Sequence, residues 1–182
     1  MSRTEYPVTA AVRFLRERNV AFAPHLYHYE EHGGTRAGAR ELGFPEHVLI
    51  KTLVMETDRR QPFLVLMHGN CEVSTKQLAR ILGSKSVSPC DERTAARLTG
   101  YIFGGTSPFG TYKPIRVYAE KSIFDLPRIL INGGKRGFLV EIAPQELRRV
   151  LSITEVEVAI PHAGAAQMPV PASSDGKQQS PE

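Results

Sequence analysis

The chain has 182 residues, of which 41% are hydrophobic and 23% are charged, and its formal net charge is +4. This length and composition predict one soluble globular domain. No apolar run is long enough to span a membrane, and the N-terminus lacks the apolar core of a signal peptide. The only two cysteines, Cys71 and Cys90, show no metal-ligand spacing, which predicts a cytoplasmic protein with free thiols. The net positive charge is consistent with an anionic binding partner and equally with a basic surface that has no function.

Five segments combine apolar residues at helical spacing with residues that typically begin or end a helix. Ser74 and Asp91 are predicted to cap helix starts, and Gly43, Gly83 and Gly100 are predicted to end helices. The predicted helices lie within 7–19, 35–42, 74–83, 91–100 and 144–151.

Short apolar runs bounded by turn residues predict the strands, with a turn at 58–60. Many short strands with interspersed helices argue against a regular βαβ array and predict an α+β (mixed α/β) fold, in which helices flank a mixed sheet or a partly closed barrel. After Ile160 the sequence turns to Pro, Ala, Ser, Gln and Gly, so we expect one domain at 1–160 and a disordered tail at 161–182. The predicted strands are 22–29, 48–56, 63–67, 101–103, 115–119, 129–131, 138–142 and 154–160.

Two glycine clusters carry the strongest functional signal. They read Gly-Gly-Thr-Ser-Pro-Phe-Gly at 104–110 and Asn-Gly-Gly-Lys-Arg-Gly at 132–137. Glycine lets a ligand approach the main chain closely, so two such loops indicate a pocket built from backbone N–H groups, which suits phosphate, ribose or a developing oxyanion. Either cluster alone is more typical of an ordinary hairpin turn.

Lys51 is the one charge in an otherwise apolar run at 48–55. A lone lysine in a strand usually points to water from an edge strand, and the alternative is a positive charge at the floor of a pocket. Thr52 is expected to face the opposite side of the sheet, because side chains alternate along a strand.

Tyr27, His28 and Tyr29 form an aromatic cluster with His25 and His32 nearby. The cluster has no metal-ligand spacing, and no carboxylate partner for its histidines is evident in the sequence. We therefore expect these residues to form either a solvent-exposed aromatic edge of a pocket or an ordinary surface cluster.

Three motifs in order resemble those of the YbaK/EbsC family of aminoacyl-tRNA deacylases, which is related to the editing insertion of bacterial prolyl-tRNA synthetase. They are Ile-Lys-Thr-Leu-Val at 50–54, Thr-Gly-Tyr-Ile-Phe followed by the first glycine cluster at 99–110, and the second glycine cluster at 132–137. The resemblance runs from about residue 8 to residue 151, and it favours a role for Lys51 in the site.

The resemblance implies hydrolysis of the ester that joins a wrong amino acid to the 3′ end of a tRNA. It implies no cofactor, no catalytic metal and no protein nucleophile, because a labile ester needs only positioning and stabilisation of the oxyanion. Lys51 would hold the terminal ribose or phosphate, while backbone N–H groups near Gly104 and Gly105 would polarise the carbonyl. The implied substrate-binding residues are Tyr27, Thr52, Thr106, Ser107, Pro108, Asn132, Gly133, Gly134 and Leu139.

Two departures from the family pattern bear on the amino acid. Asn132 stands where members often have serine, and Leu139 stands where some have aspartate. An apolar residue removes a partner that a polar substrate group needs, so we expect a preference for small, weakly polar groups such as alanyl, seryl or cysteinyl.

Two further readings stay open. One is a non-catalytic module of the same fold that binds tRNA or an aminoacyl-tRNA synthetase, and the other is a regulator that binds a nucleotide or ribose. In either case we expect no membrane partner, and a monomer is favoured over an oligomer.

Overall fold

The computed structural model describes residues 5–163, and it contains all five predicted helices. The caps are as predicted: Ser74 accepts a hydrogen bond from the N–H of Gln77 and Asp91 accepts one from Thr94, while Gly83 and Gly100 end their helices in the left-handed conformation. No helix within residues 5–163 could cross a membrane. The helices are α1 (Ala10–Glu17), α2 (Gly34–Leu42), α3 (Thr75–Leu82), α4 (Glu92–Thr99) and α5 (Gln145–Val150).

The described residues also form ten strands: β1 (Ala23–Leu26), β2 (Leu49–Thr57), β3 (Pro62–His68), β4 (Cys71–Val73), β5 (Val87–Pro89), β6 (Arg116–Glu120), β7 (Ile129–Lys135), β8 (Phe138–Ile142), β9 (Ile153–Val156) and β10 (Ala159–Pro161). Seven of them form the path β1-β8-β7-β2-β3-β6-β9, with β5 beside β2, and β10 pairs with β4. Parallel pairing joins β2 to β7, β3 to β6 and β6 to β9, and the other pairs are antiparallel. The predicted mixed sheet flanked by helices is therefore confirmed.

Side-chain alternation along β2 divides the core between the faces of the sheet. Ile50 and Val54 belong to the cluster that α1 covers, whereas Leu53 and Met55 belong to the cluster that α3 covers. Leu49 lies in a third, smaller cluster with Ala39 of α2. These three clusters fix the position of β2, which carries Lys51, in the middle of the sheet.

The predicted strand at 101–103 is wrong. Tyr101 is buried and its hydroxyl donates to the carbonyl oxygen of Phe109, while Ile102 and Phe103 are exposed. A turn follows at once, because the N–H of Gly105 donates to the carbonyl oxygen of Ile102 at 2.9 Å and Gly104 has a φ of +83°. A left-handed residue ends an extended segment, so the apolar run cannot pair as a strand.

The C-terminal part of the fold also differs from expectation. The predicted strand at 154–160 is divided into β9 and β10, because the carboxylate of Glu120 accepts hydrogen bonds from the N–H groups of Val158, between the two strands, and Ala159, the first residue of β10. Pro161 pairs with Cys71, and the N–H of His162 donates to the carbonyl oxygen of Asn70. The expected tail at 161–182 thus begins within ordered structure, and its part from 164 onward lies outside the described residues.

His68, the last residue of β3, is a buried histidine that stays neutral in the fold. Its Nδ1 lies 2.7 Å from the carbonyl oxygen of His47 and its Nε2 lies 2.8 Å from the hydroxyl of Ser122. A carbonyl only accepts, so Nδ1 carries the proton and Nε2 accepts from Ser122. Burial lowers the pKa of His68 to about 4.

We expect this histidine to weaken the fold in acid. The unfolded chain takes up the proton below a pKa of about 6.5, whereas the folded chain does so only near 4, so the free energy of unfolding falls as the pH drops through this window, by about 3 kcal/mol in all. Urea unfolding at pH 7 and pH 4.5 measures the loss. His68→Gln reduces the difference between the two pH values, and His32→Asn, at an exposed histidine, keeps it; equal differences in both variants contradict the assignment.

Candidate active site

The sheet opens between β2 and β7. Their parallel pairing covers only Leu49 with Leu130 and Ile50 with Ile131. One step further the same register would set Lys51 opposite Asn132, but within residues 5–163 the ladder ends before that pair. The next strand on this side of β2 is β5, which pairs from Met55 on. We call this opening, bordered by Lys51, Thr52 and Asn132, the β2–β7 cleft.

The main chain of Thr52 points into the cleft. The carbonyl oxygen of Leu49 accepts from Gly69 on the β3 side, whereas that of Val54 accepts from Cys90 on the opposite side. Strand alternation therefore directs the N–H and carbonyl of Thr52 to the side of the cleft. The Thr52 side chain lies on the face of Ile50 and Val54, as predicted, and its hydroxyl is buried without a hydrogen-bond partner in the described part of the chain.

Lys51 does not belong to an edge strand, because β2 has neighbours on both sides. The side chain is half-buried, and its ammonium donates to the carbonyl oxygen of Cys71 in β4. Burial lowers the pKa of Lys51, while the nearby Cys71, Glu46 and Glu72 act in the opposite direction. The result is a partly desolvated cation next to the cleft, where its charge is screened less than at the surface.

A buried apolar cluster lies on the same face of the sheet as Lys51 and Asn132. It includes Leu49, Leu130 and Leu139, which are at most 7% exposed, and Leu139 stands opposite Asn132 in the β7–β8 pairing. Tyr27 packs against this group, and its ring lies on Gly38 of α2, where an added Cβ would be 3.4 Å from Cζ. Burial, followed by the neighbouring Tyr29, raises the pKa of Tyr27.

Asn132 joins the two glycine clusters. Its Nδ2 donates to the carbonyl oxygen of Gly104 at 3.0 Å, and its Oδ1 accepts from the N–H groups of Gly134 at 2.7 Å and Lys135 at 3.2 Å. The clusters also touch directly, because a Cβ on Gly105 would lie 3.0 Å from the nitrogen of Arg136. They are therefore one packed unit and not two independent hairpin turns, and within residues 5–163 the Asn132 amide keeps one N–H without a partner, while its oxygen is occupied.

The second cluster is anchored to α1 and to the core. Thr9, which caps α1 by accepting from the N–H of Val12, donates from its hydroxyl to the carbonyl oxygen of Gly133. Gly133 packs on the ring of Phe138, and Gly134 has a φ of +95° and packs on Tyr101. These contacts leave no room for a side chain at Gly133 and hold the loop rigidly.

In the first glycine cluster, some backbone N–H groups are hydrogen-bonded within residues 5–163 and others are not. The N–H of Gly105 is bound to Ile102, whereas those of Gly104 and Thr106 have no hydrogen-bond partner among residues 5–163. Ser107 and Pro108 are buried, and the Ser107 hydroxyl accepts from the N–H of Phe109 at 3.3 Å. Ser107 and Pro108 therefore support the loop from inside.

The histidines near Tyr27 do have carboxylate partners, contrary to expectation. His25 lies 2.7 Å from Glu141 and His28 lies 2.8 Å from Glu41. Each carboxylate is distant in sequence from its histidine, so the sequence around the histidines did not indicate the pairing. Glu141 also binds Arg128, whose Nε lies 3.3 Å from its carboxylate, whereas His28 of the second pair is exposed.

Sequence reasoning missed two residues that lie directly beside Gly104. The ring of Tyr29 faces it, and a Cβ on Gly104 would lie 2.8 Å from that ring. The guanidinium carbon of Arg136 is 4.9 Å from the Tyr29 ring centroid, and its Nε donates to the carbonyl oxygen of Phe103. The only sequence signal was an aromatic residue two positions after Tyr27 and a basic pair inside the second glycine cluster.

Comparisons with known proteins show which family this chain resembles. The chain is 30% identical over 152 residues to EbsC of Enterococcus faecalis, a candidate Cys-tRNA(Pro)/Cys-tRNA(Cys) deacylase, and this covers 83% of the chain and 91% of EbsC. It is 31% identical over 86 residues to a proline–tRNA ligase of Brachyspira hyodysenteriae, of which it covers only 15%.

The fold has close counterparts among solved structures. The structure of a candidate trans-editing enzyme for prolyl-tRNA synthetase matches with a TM-score of 0.72 at 19% identity, covering 84% of this chain and 98% of that one. The aminoacyl-tRNA editing domain matches residues 31–150, which include Lys51 and both glycine clusters. The chain therefore belongs to the aminoacyl-tRNA editing domain family.

Proposed function

We propose that the chain hydrolyses the ester between a wrongly attached amino acid and the 3′-terminal adenosine of a tRNA. The observation that carries this proposal is the position of the half-buried Lys51 just after the last β2–β7 pair, where the register sets it against Asn132. Asn132 in turn holds Gly104 of the first glycine cluster. A cation and free backbone donors at one cleft suit the phosphate or ribose of the RNA end and the oxyanion of ester hydrolysis.

The proposed catalytic roles follow from which hydrogen-bond donors of the site have no partner in the described residues. Water attacks the ester carbonyl carbon, and the N–H groups of Gly104 and Thr106 stabilise the negative charge that develops on the carbonyl oxygen. The bond to the ribose oxygen then breaks, and that oxygen takes a proton, giving a free amino acid and an uncharged tRNA. Lys51 holds the terminal ribose or phosphate, and Gly105 shapes the turn, since its own N–H is occupied.

The cleft also favours certain amino acids. Leu139 stands opposite Asn132 and packs with the buried Leu49 and Leu130, and the amide oxygen of Asn132 is occupied by the second loop. No polar side chain of this group is offered to a charged substrate, so small and weakly polar aminoacyl groups are preferred. The name of EbsC makes cysteinyl-tRNA the first substrate to test, and the matched ligases make tRNA(Pro) the first RNA.

The test is a deacylation panel with the purified full chain. We expect release of amino acid from cysteinyl-, alanyl- or seryl-tRNA, little from aspartyl- or lysyl-tRNA, and unchanged rates after EDTA treatment, because the proposed donors are an ammonium and backbone N–H groups. Activity that EDTA abolishes and zinc restores contradicts these roles. Binding of tRNA without hydrolysis of any ester supports the alternative of a non-catalytic binding module.

A further inference from the structure

An exposed aromatic side chain stands directly before the first glycine cluster. Phe103 is 63% exposed and Ile102 is 58% exposed, although both are large and apolar. Exposed apolar residues that stand together at the rim of a site mark an interaction surface more often than isolated ones do. Phe103 is also one residue from Gly104, whose N–H we place at the ester carbonyl.

Phe103 is part of a patch that its neighbours hold in place. The Nε of Arg136 donates to the carbonyl oxygen of Phe103 at 2.7 Å. The same guanidinium lies over the ring of Tyr29, with 4.9 Å between the guanidinium carbon and the ring centroid, and Tyr29 packs on Gly104. We call Tyr29, Phe103 and Arg136 the aromatic platform.

The charge around the platform is positive. Arg136 and Lys135 are both exposed, and neither is in a salt bridge within residues 5–163. Glu30, which follows Tyr29, is bound by Arg40 at 2.6 Å, so its charge is offset. An exposed ring, an arginine over a second ring and an unpaired lysine are the elements with which proteins bind single-stranded nucleic acid, by stacking bases and contacting phosphates.

We propose that the aromatic platform stacks the unpaired nucleotides that precede the terminal adenosine of the tRNA. This inference rests on the proposed function, because it takes Gly104 as the place of the terminal ester. Phe103 directly precedes Gly104 in the chain, so the base before the adenosine comes within reach of the Phe103 ring when the ester lies at Gly104. Stacking tolerates any base, so the platform binds the common 3′ end of tRNAs and leaves the choice of amino acid to the cleft.

Two substrates separate this role from an effect on the glycine loop. Full-length aminoacyl-tRNA carries the preceding nucleotides, and 2′(3′)-O-aminoacyl-adenosine lacks them. We expect Phe103→Ala to raise KM for aminoacyl-tRNA about 5- to 150-fold, while kcat/KM for aminoacyl-adenosine changes less than twofold. Phe103→Trp keeps the wild-type KM, and Ile81→Ala, which removes an exposed apolar residue from α3, serves as the matched control.

A binding measurement makes the platform testable without catalysis. The probe is a 5′-labelled single-stranded RNA that ends in ACCA-3′, titrated by fluorescence anisotropy. Loss of affinity in Phe103→Ala but not in Ile81→Ala supports the platform even if no ester is hydrolysed, in which case only the proposed function fails. Equal losses on both substrates, or wild-type deacylation and wild-type oligonucleotide affinity in Phe103→Ala, overturn the platform and leave the proposed function standing.

Discussion

Replacing Lys51 with alanine is expected to lower the rate of ester hydrolysis about 100- to 1000-fold without unfolding the protein. Loss of one preorganised charged donor has an effect of this size when the donor acts in a partly desolvated site. Lys51 fits this description, because its side chain is half-buried and burial lowers its pKa. Single-turnover deacylation of cysteinyl-tRNA gives the rate, and thermal unfolding reports on the fold.

Two further variants separate charge from packing. Lys51→Met keeps an unbranched apolar side chain in β2 and removes the ammonium, so we expect the same loss of rate with a smaller change in melting temperature. Lys85→Ala removes an exposed lysine before β5 and serves as the matched control. Wild-type turnover in Lys51→Ala means that the ammonium has only the structural contact with the carbonyl oxygen of Cys71.

The second large effect is expected from Gly104→Ala. Gly104 has a φ of +83°, and a Cβ there would lie 2.8 Å from the ring of Tyr29, so the loop must shift and move its N–H groups. Misplacing donors that stabilise an oxyanion costs about 100-fold or more in rate. We therefore expect a drop of at least that size in kcat, measured on the same cysteinyl-tRNA.

Gly83→Ala is a well-matched control for this variant. Gly83 also has a positive φ, +64°, but an added Cβ would meet nothing within 4 Å. Both substitutions therefore carry the backbone strain of a left-handed alanine, about 1–2 kcal/mol, and only Gly104→Ala adds the clash beside the cleft. Similar activity in the two variants shows that the geometry of the first glycine cluster does not limit the reaction.

Local signals in the sequence predicted much of the fold. Side-chain caps such as Ser74 and Asp91 and the stop at Gly83 act within a few residues, so the helices they bound could be read directly. The prediction of a strand at 101–103 also rested on a local signal, its apolar composition, and it was wrong. The turn at Gly104 and the burial of Tyr101 decide the conformation there.

The site depends on contacts that no local pattern contains. Asn132 holds Gly104 across 28 positions of sequence, and the cleft exists because the pairing of β2 with β7 stops after Ile50 and Ile131. Glycine content singled out the two clusters, but for Lys51 only the family resemblance favoured a place in the site over one on the surface. It gave no sign that the Asn132 amide is engaged by the loops or that Arg136 lies over Tyr29.

The central claim is that the acyl end of the tRNA binds in the β2–β7 cleft with its carbonyl at the first glycine cluster. Nuclear magnetic resonance of the labelled full chain tests it with 3′-aminoacylamino-3′-deoxyadenosine, in which an amide replaces the labile ester. We predict the largest shifts at the backbone N–H groups of Gly104 and Thr106, at the side-chain amide of Asn132 and at the ammonium of Lys51. Shifts confined to residues outside the cleft, or no saturable shift at millimolar analogue, contradict the claim.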